Sequence, residues 1–191
     1  MTTEVPLVAG ADGSEGSLPA VDRAVDEAAR AHCPVIVVRG SRAGVAGAHR
    51  RILLAAGGPA TGEETVRFAF REAEARGGVL DVVRARRHAS PAAADTSDGD
   101  DEERARTELD DLLGPAMADH PGARVHRATV EGPARKELLH RSAAADLVVV
   151  GARRRRGRFG LQLGMAAHTL LQHAACPVAV VPLQQRREPR P

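Results

Sequence analysis

"RILLAAGGPATGEETVRFAFREA", residues 51–73, decides the fold. Its first half, Ile52–Ala56, is an uninterrupted apolar run and reads as a strand. Gly57, Gly58 and Pro59 make a turn. Beyond it Val66, Ala69, Phe70 and Ala73 recur at helical spacing. Thr61 and Glu64 stand three apart, the spacing of a capping box at a helix start. An earlier stretch, "VPLVAGADGSEGSLPAVDRAVDEA" at 5–28, follows the same plan. Its helix sets Leu18, Val21, Val25, Ala28 and His32 on one face, with Pro19 in the first turn and Ser17 as N-cap.

The ends of these two units match as well. "AHCPVIVV" at 31–38 and "AACPVAVV" at 174–181 differ at two positions. The chain therefore holds two units with a common beginning and a common end, and the first lacks a middle. The long unit alternates. Strands are expected at 79–85, 123–130, 146–152 and 177–182, and helices at 101–120, 133–145 and 164–174. "DLVVVGA" at 146–152 has the continuous apolar character of a strand buried on both faces. Such alternation predicts an α/β fold with a parallel sheet covered on both sides. The segments 40–49, 88–103 and 184–191 read as spacer, acidic loop and solvated tail. The expected division is 1–40, a short repeat; 41–50, a linker; 51–183, a complete domain; and 184–191, a tail.

Composition narrows the function. The chain has 191 residues, 43% of them apolar, and only three aromatics, all Phe, so its core is aliphatic. A net charge of +2 gives no global field for nucleic acid, and the absence of Tyr and Trp removes most stacking platforms. The run Arg153–Arg156 reads as a solvated face. No apolar stretch approaches the ~20 residues of a membrane helix, and no leader opens the chain, so a cytoplasmic protein is expected. Cys33 and Cys176 occupy equivalent repeat positions and read as small buried hydrophobes. No His, Cys or carboxylate cluster has metal-ligand spacing, and no Ser–His–Asp arrangement suggests a nucleophile.

"RILLAAGG…RFAFREAEARGG" and "VEGPARKELLHRSAAADLVVVGARRRRGRFGLQLGMAAHTLLQHAACPVAVV", in that order, resemble the universal stress protein (UspA-like) family. "VAGADGSEGS" with "AHCPVIVV" resembles the two ends of a second copy, as in tandem members with a truncated first repeat. The resemblance implies a Rossmann-like (adenine nucleotide alpha hydrolase-like) five-stranded parallel sheet of order 3-2-1-4-5, plus the short N-terminal βαβ half-repeat. It also implies an ATP site at the carboxyl ends of strands 1 and 4, the switch point of the sheet. The family signature is an Asp after strand 1, then Gly-x2-Gly-x9-Gly and Ser or Thr after strand 4.

On that pattern Gly151 and Gly164 hold glycine positions, but Arg154 replaces the second glycine, Met165 the hydroxyl residue, and Gly57 the Asp. Gly58, Val150, Arg153 and Ala166 flank these positions. Met165 cannot donate to a phosphate, although the guanidinium of Arg154 is itself a phosphate partner. The short unit keeps Asp12-Gly13-Ser14, which reads either as half of a site or as a simple turn. Two functions follow: a non-enzymatic stress-response module with a degenerate nucleotide pocket, in which ATP or AMP binds at most weakly and which acts on an unidentified protein partner, or a functional ATP- or AMP-binding protein that uses arginines in the phosphate loop. Family dimers pair their last strands edge to edge. By analogy 33–39 is expected to pair antiparallel with 177–182 as an intramolecular pseudo-dimer, leaving 5–11 outermost, and homodimers are the intermolecular alternative.

Overall fold

A computed structural model of the protein describes residues 5–12, 14–57, 61–86, 98–154 and 161–183. The elements in chain order are β1 (Leu7–Gly10), a 3-10 turn (Glu15–Ser17), α1 (Leu18–Ala31), β2 (Val35–Val38), α2 (Arg42–Val45), β3 (Arg51–Ala55), α3 (Glu63–Ala75), β4 (Val79–Arg86), α4 (Asp98–Asp119), β5 (Arg124–Glu131), α5 (Ala134–Ser142), β6 (Leu147–Arg154), β7 (Leu161–Gln162), α6 (Met165–His173) and β8 (Val178–Pro182).

The strands form one sheet in the path β1-β2-β8-β6-β3-β4-β5, with β7 attached to β6. β3, β4, β5, β6 and β8 are mutually parallel. The five-stranded sheet expected from sequence is thus enlarged by β1, β2 and the two-residue β7. β2 pairs antiparallel with β8, placing Val35 opposite Val180 and Val37 opposite Val178, as expected, and β1 is the outer strand. The β1–β2 ribbon therefore leans on the long unit, because two strands cannot bury both faces alone.

Right-handed crossovers decide which face each helix covers. From β3 the chain steps outward through α3 and α4 on one face. It then returns across the sheet through α5 and α6 on the other. The β1–α1–β2 unit runs in the reversed strand direction, so the same handedness puts α1 on the α5–α6 face. The two cores agree with this. Val21, Val25, Ala28, Leu53, Val148, Leu170, Cys176 and Val178 pack in one. Ile52, Leu54, Phe70, Leu80, Leu113 and Val149 pack in the other. Strictly alternating membership along β3 and β6 is the two-residue period of a strand read out by two layers.

Several local expectations change. Thr61 does not cap α3; the N-cap is Gly62. The Thr61 hydroxyl instead accepts from Gly57 N–H at 3.2 Å and reaches the Ala55 carbonyl at 3.2 Å, closing the β3–α3 turn. Ser17 is the α1 N-cap without a side-chain cap bond, because its hydroxyl donates to the Ser14 carbonyl. His32 ends α1 in the left-handed region, φ 56°. The segment expected as a spacer contains α2, which Ser41 caps by accepting from Gly44 N–H at 3.1 Å. The acidic segment 88–103 is described only from 98, where α4 begins.

Two buried carboxylates tie the amino ends of the strands. Asp146 accepts from the backbone N–H of His49 at 2.8 Å and of Arg51 at 3.3 Å. Asp81 is paired with Arg51 on one neighbouring strand and lies 3.0 Å from His126 Nδ1 on the other. Buried charges persist only when paired in this manner.

Candidate functional site

The carboxyl ends of β3 and β6, adjacent in the sheet, carry the residues singled out by sequence. Gly57 sits just past β3 with φ +136°, and Gly58 lies outside the described residues. Val150 is buried and Gly151 pairs with Val181. Both are ordinary members of β6. Strand β6 does not stop at 152 as expected. It continues through Arg154 and turns back on β7, with Arg153 opposite Gln162 and Arg154 opposite Leu161. Arg153 and Arg154, which the family pattern would place in the phosphate loop, are here paired with β7 in an antiparallel ladder. Residues 155–160 lie outside the described residues. Gly164 is the N-cap of α6 and Met165 its first residue, with 74% of its surface exposed.

A cavity of about 510 Å³ opens at this end of the sheet. Its walls are Ala85 and Arg86 at the end of β4, Gly132–Arg135 at the β5–α5 junction, and Met165 and Ala166 at the start of α6. Of the residues predicted from sequence, Met165 and Ala166 are the ones that line it among the described residues. Arg86 and Arg135 were missed. The Gly-Pro step at 132–133 was the available signal for this corner. Gly132 holds φ +126° with open space where a Cβ would be, and its N–H donates to the Arg86 carbonyl at 3.0 Å. Conformation rather than space selects glycine there.

The Asp12 half-site closes on itself. Asp12 Oδ1 accepts from Ser14 Oγ at 2.7 Å and from Ser14 N–H at 2.9 Å. These bonds, the hydroxyl first, hold the Asp12 carboxyl below its ordinary range. The turn reading therefore describes it, with Gly13 outside the described residues. Because β1 runs antiparallel to β6 and is separated from it by β2 and β8, Asp12 lies at the opposite end of the sheet from Arg154. The two half-sites do not meet.

The cysteines differ. Cys176 is fully buried. Burial, and then the charge of Asp146, push its thiol up to about 12. Cys33 is only half-buried. A native thiol titration with a disulfide reagent near neutral pH is expected to show one fast group, Cys33, and two after unfolding. Two fast groups in the native protein would contradict this burial. The raised value also sets a pH dependence. Stability from the neutral Cys176 thiol is complete below pH 9.0, the ordinary value, and is lost as pH rises from there toward about 12.

A family model for the universal stress protein family matches residues 48–182. A universal stress protein of Mycobacterium tuberculosis is 33% identical over 154 residues, covering 79% of this chain and 52% of the relative. One from Mycolicibacterium smegmatis is 31% identical over 156 residues, covering 78% and 51%. The chain thus spans about half the length of the curated relatives it matches. Among solved structures, a universal stress protein from Archaeoglobus fulgidus aligns with a TM-score of 0.57 at 20% identity, over 79% of this chain and 51% of that one. A family member from Burkholderia pseudomallei aligns with a TM-score of 0.51 at 25% identity, over 71% and 97%. The Archaeoglobus likeness speaks to the fold, a Rossmann-like α/β sheet, while the family match takes in every element from β3 to β8. The chain belongs to the universal stress protein family.

Proposed function

We propose that this chain is a stress-response regulatory module that acts through contacts with another protein, and that its adenine-nucleotide pocket has lost the triphosphate loop. The observation that carries the reading is the hairpin of β6 with β7. A phosphate chain needs free backbone N–H groups brought close by glycine, then a hydroxyl at a helix start. Here the backbone at Arg153 and Arg154 is in a β-ladder, and the helix starts with Met165. Gly57 supplies no carboxylate for the nucleoside.

We read the β5-β4-β3-β6-β8 portion as the family's 3-2-1-4-5 domain, and β1–α1–β2 as the remnant of a first repeat. The antiparallel β2–β8 join supports the second reading, since it makes the chain an intramolecular pseudo-dimer. Cytoplasmic residence and a non-enzymatic role belong to the same proposal. Among the described residues no helix is long and apolar enough to cross a membrane.

Isothermal titration with ATP and AMP tests this reading. ATP is expected to bind no tighter than high micromolar, roughly −5 kcal/mol. A dissociation constant near one micromolar, about −8 kcal/mol, decides instead for a working nucleotide binder. Arg154→Gly then shows what the arginine does: tighter ATP binding in that variant means that Arg154 obstructs the loop rather than replacing it.

A further inference from the structure

We propose that His126 is a phosphoryl-acceptor site, whose Nε2 takes a phosphoryl group from an N-phosphorylated donor of the phosphoramidate class, such as a phosphohistidine on another protein. The site lies at the amino ends of β3, β4 and β5, at the opposite end of the strands from Gly57 and Gly151. It does not depend on the state of the nucleotide pocket.

Asp81 builds the site. It is the third residue of β4 and only 4% exposed, and both of its oxygens are occupied. Oδ2 accepts from Arg51 on β3, and Oδ1 lies 3.0 Å from His126 Nδ1 on β5. The parallel register sets Asp81 directly beside His126. A carboxylate paired with a guanidinium only accepts, so Nδ1 carries the hydrogen and the neutral ring keeps its lone pair on Nε2. β5 is the edge strand of the sheet, and 64% of the His126 side chain is exposed. A fixed tautomer and an open ring are what a histidine nucleophile requires.

Other histidines have one of these features without the other. His120 has Glu74 Oε2 at 2.7 Å from its Nδ1, but its side chain is only 17% exposed and its ring stacks on Phe70. His32 is exposed, but its Nδ1 meets the neutral Arg30 carbonyl, at 2.9 Å.

The step is a simple displacement. The Nε2 lone pair attacks phosphorus, the donor's phosphorus–nitrogen bond breaks, and its electron pair leaves on the donor nitrogen, which is already protonated. Nδ1 keeps its hydrogen, so the phosphorylated ring is cationic. The Asp81 carboxylate faces that developing charge and stabilises it. Nearby arginines favour the incoming anion. Arg124 stands two residues before His126, on the same face of β5. Arg124 Nη2 and Arg50 Nη2 both donate to the Gly77 carbonyl, at 2.8 and 3.3 Å, which holds two guanidinium groups at this end of the sheet.

The experiment treats the full chain with potassium phosphoramidate near neutral pH and follows each histidine by mass spectrometry under alkaline handling. The initial rate at His126 is expected to exceed those at the exposed His32, His140, His168 and His173 by about tenfold or more. Phosphorus NMR should show the Nε2 isomer. Unfolding in guanidinium chloride should level the rates, because it separates His126 from Asp81. Asp81→Asn should lower the His126 rate about tenfold and leave the other four unchanged, with circular dichroism as the check on folding. The unfolding arm needs no variant, so the comparison stands even if Asp81→Asn does not fold. A smaller advantage, an Nδ1 product, or an advantage that survives unfolding overturns the inference, as does a folded Asp81→Asn protein that retains it.

Discussion

Removal of residues 1–40 is expected to turn the protein into dimers or aggregates with a markedly lower melting temperature. The cut takes away α1 and β2, whose Val21, Val25, Ala28, Val35 and Val37 are at most 4% exposed. Burial of a single valine contributes roughly 1.5–3 kcal/mol, so several of them rival the ~5–15 kcal/mol that keeps a domain folded. The deletion also opens the β8 edge. Val178 and Val180 lose their partners Val37 and Val35, leaving unpaired backbone beside apolar side chains, a template for another chain. Two copies of the truncated protein would present the same edge and pair with each other. Size-exclusion chromatography with light scattering, and dye binding to exposed apolar surface, check the outcome. A truncated protein that keeps the parent's oligomeric state and melting temperature would show that the N-terminal unit is an appendage. Val37→Asp tests the same join without a deletion, because it places an unpaired carboxylate in the seam.

Gly40→Ala is expected to cost about 2–5 kcal/mol, combining a left-handed backbone strain of ~1–2 kcal/mol with overpacking of ~1–3 kcal/mol. Gly40 has φ +103°, and a Cβ there would lie 2.3 Å from the Ala175 carbonyl carbon and oxygen. Backbone is the obstacle, so the neighbour cannot rotate aside. The 39–45 segment would have to lift away from 171–176. That movement would break the bond from Ser41 N–H to the Ala175 carbonyl, 2.8 Å, and the one from Arg39 Nη1 to the Leu171 carbonyl, 2.8 Å. For a chain of this size each kcal/mol moves the melting temperature by ~2–4 °C, so a fall of roughly 4–20 °C should appear in calorimetry. Gly47→Ala is the control. It also has positive φ, +71°, but nothing within 4 Å of a Cβ, so it should carry the backbone strain alone. Equal costs at the two positions would mean that the segment is not rigidly docked.

The local pattern of the chain was enough to define most elements. β3 and β6 are continuous apolar runs, and α1, α3 and α6 carry apolar residues at helical spacing. Periodicity of that kind is dictated by burial on two layers, so it is written into the residues themselves. The matching ends of the two units also pointed to the β2–β8 join, because equivalent apolar edges need covering. The corner around Gly164 and Met165 was legible for the same local reason, a glycine before a helix start.

Tertiary structure alone decided the rest. α2 has four residues, too few to form by propensity, and exists because Gly40 and Gly44 let it lie against Ala175 and Cys176. β7 has two residues and no period to read; it is a strand only because β6 continues past Gly151 to pair with it. Thr61 has the spacing of a cap, yet its hydroxyl is captured by the Gly57 turn, a competition between neighbouring backbone groups that spacing cannot settle. The cavity gathers Arg86, Arg135 and Met165 from three separate elements. Each arginine by itself reads as a surface charge. Only the right-handed return of the chain, which places α5 and α6 side by side at the carboxyl end of the sheet, brings their positive helix ends and these guanidinium groups to one place.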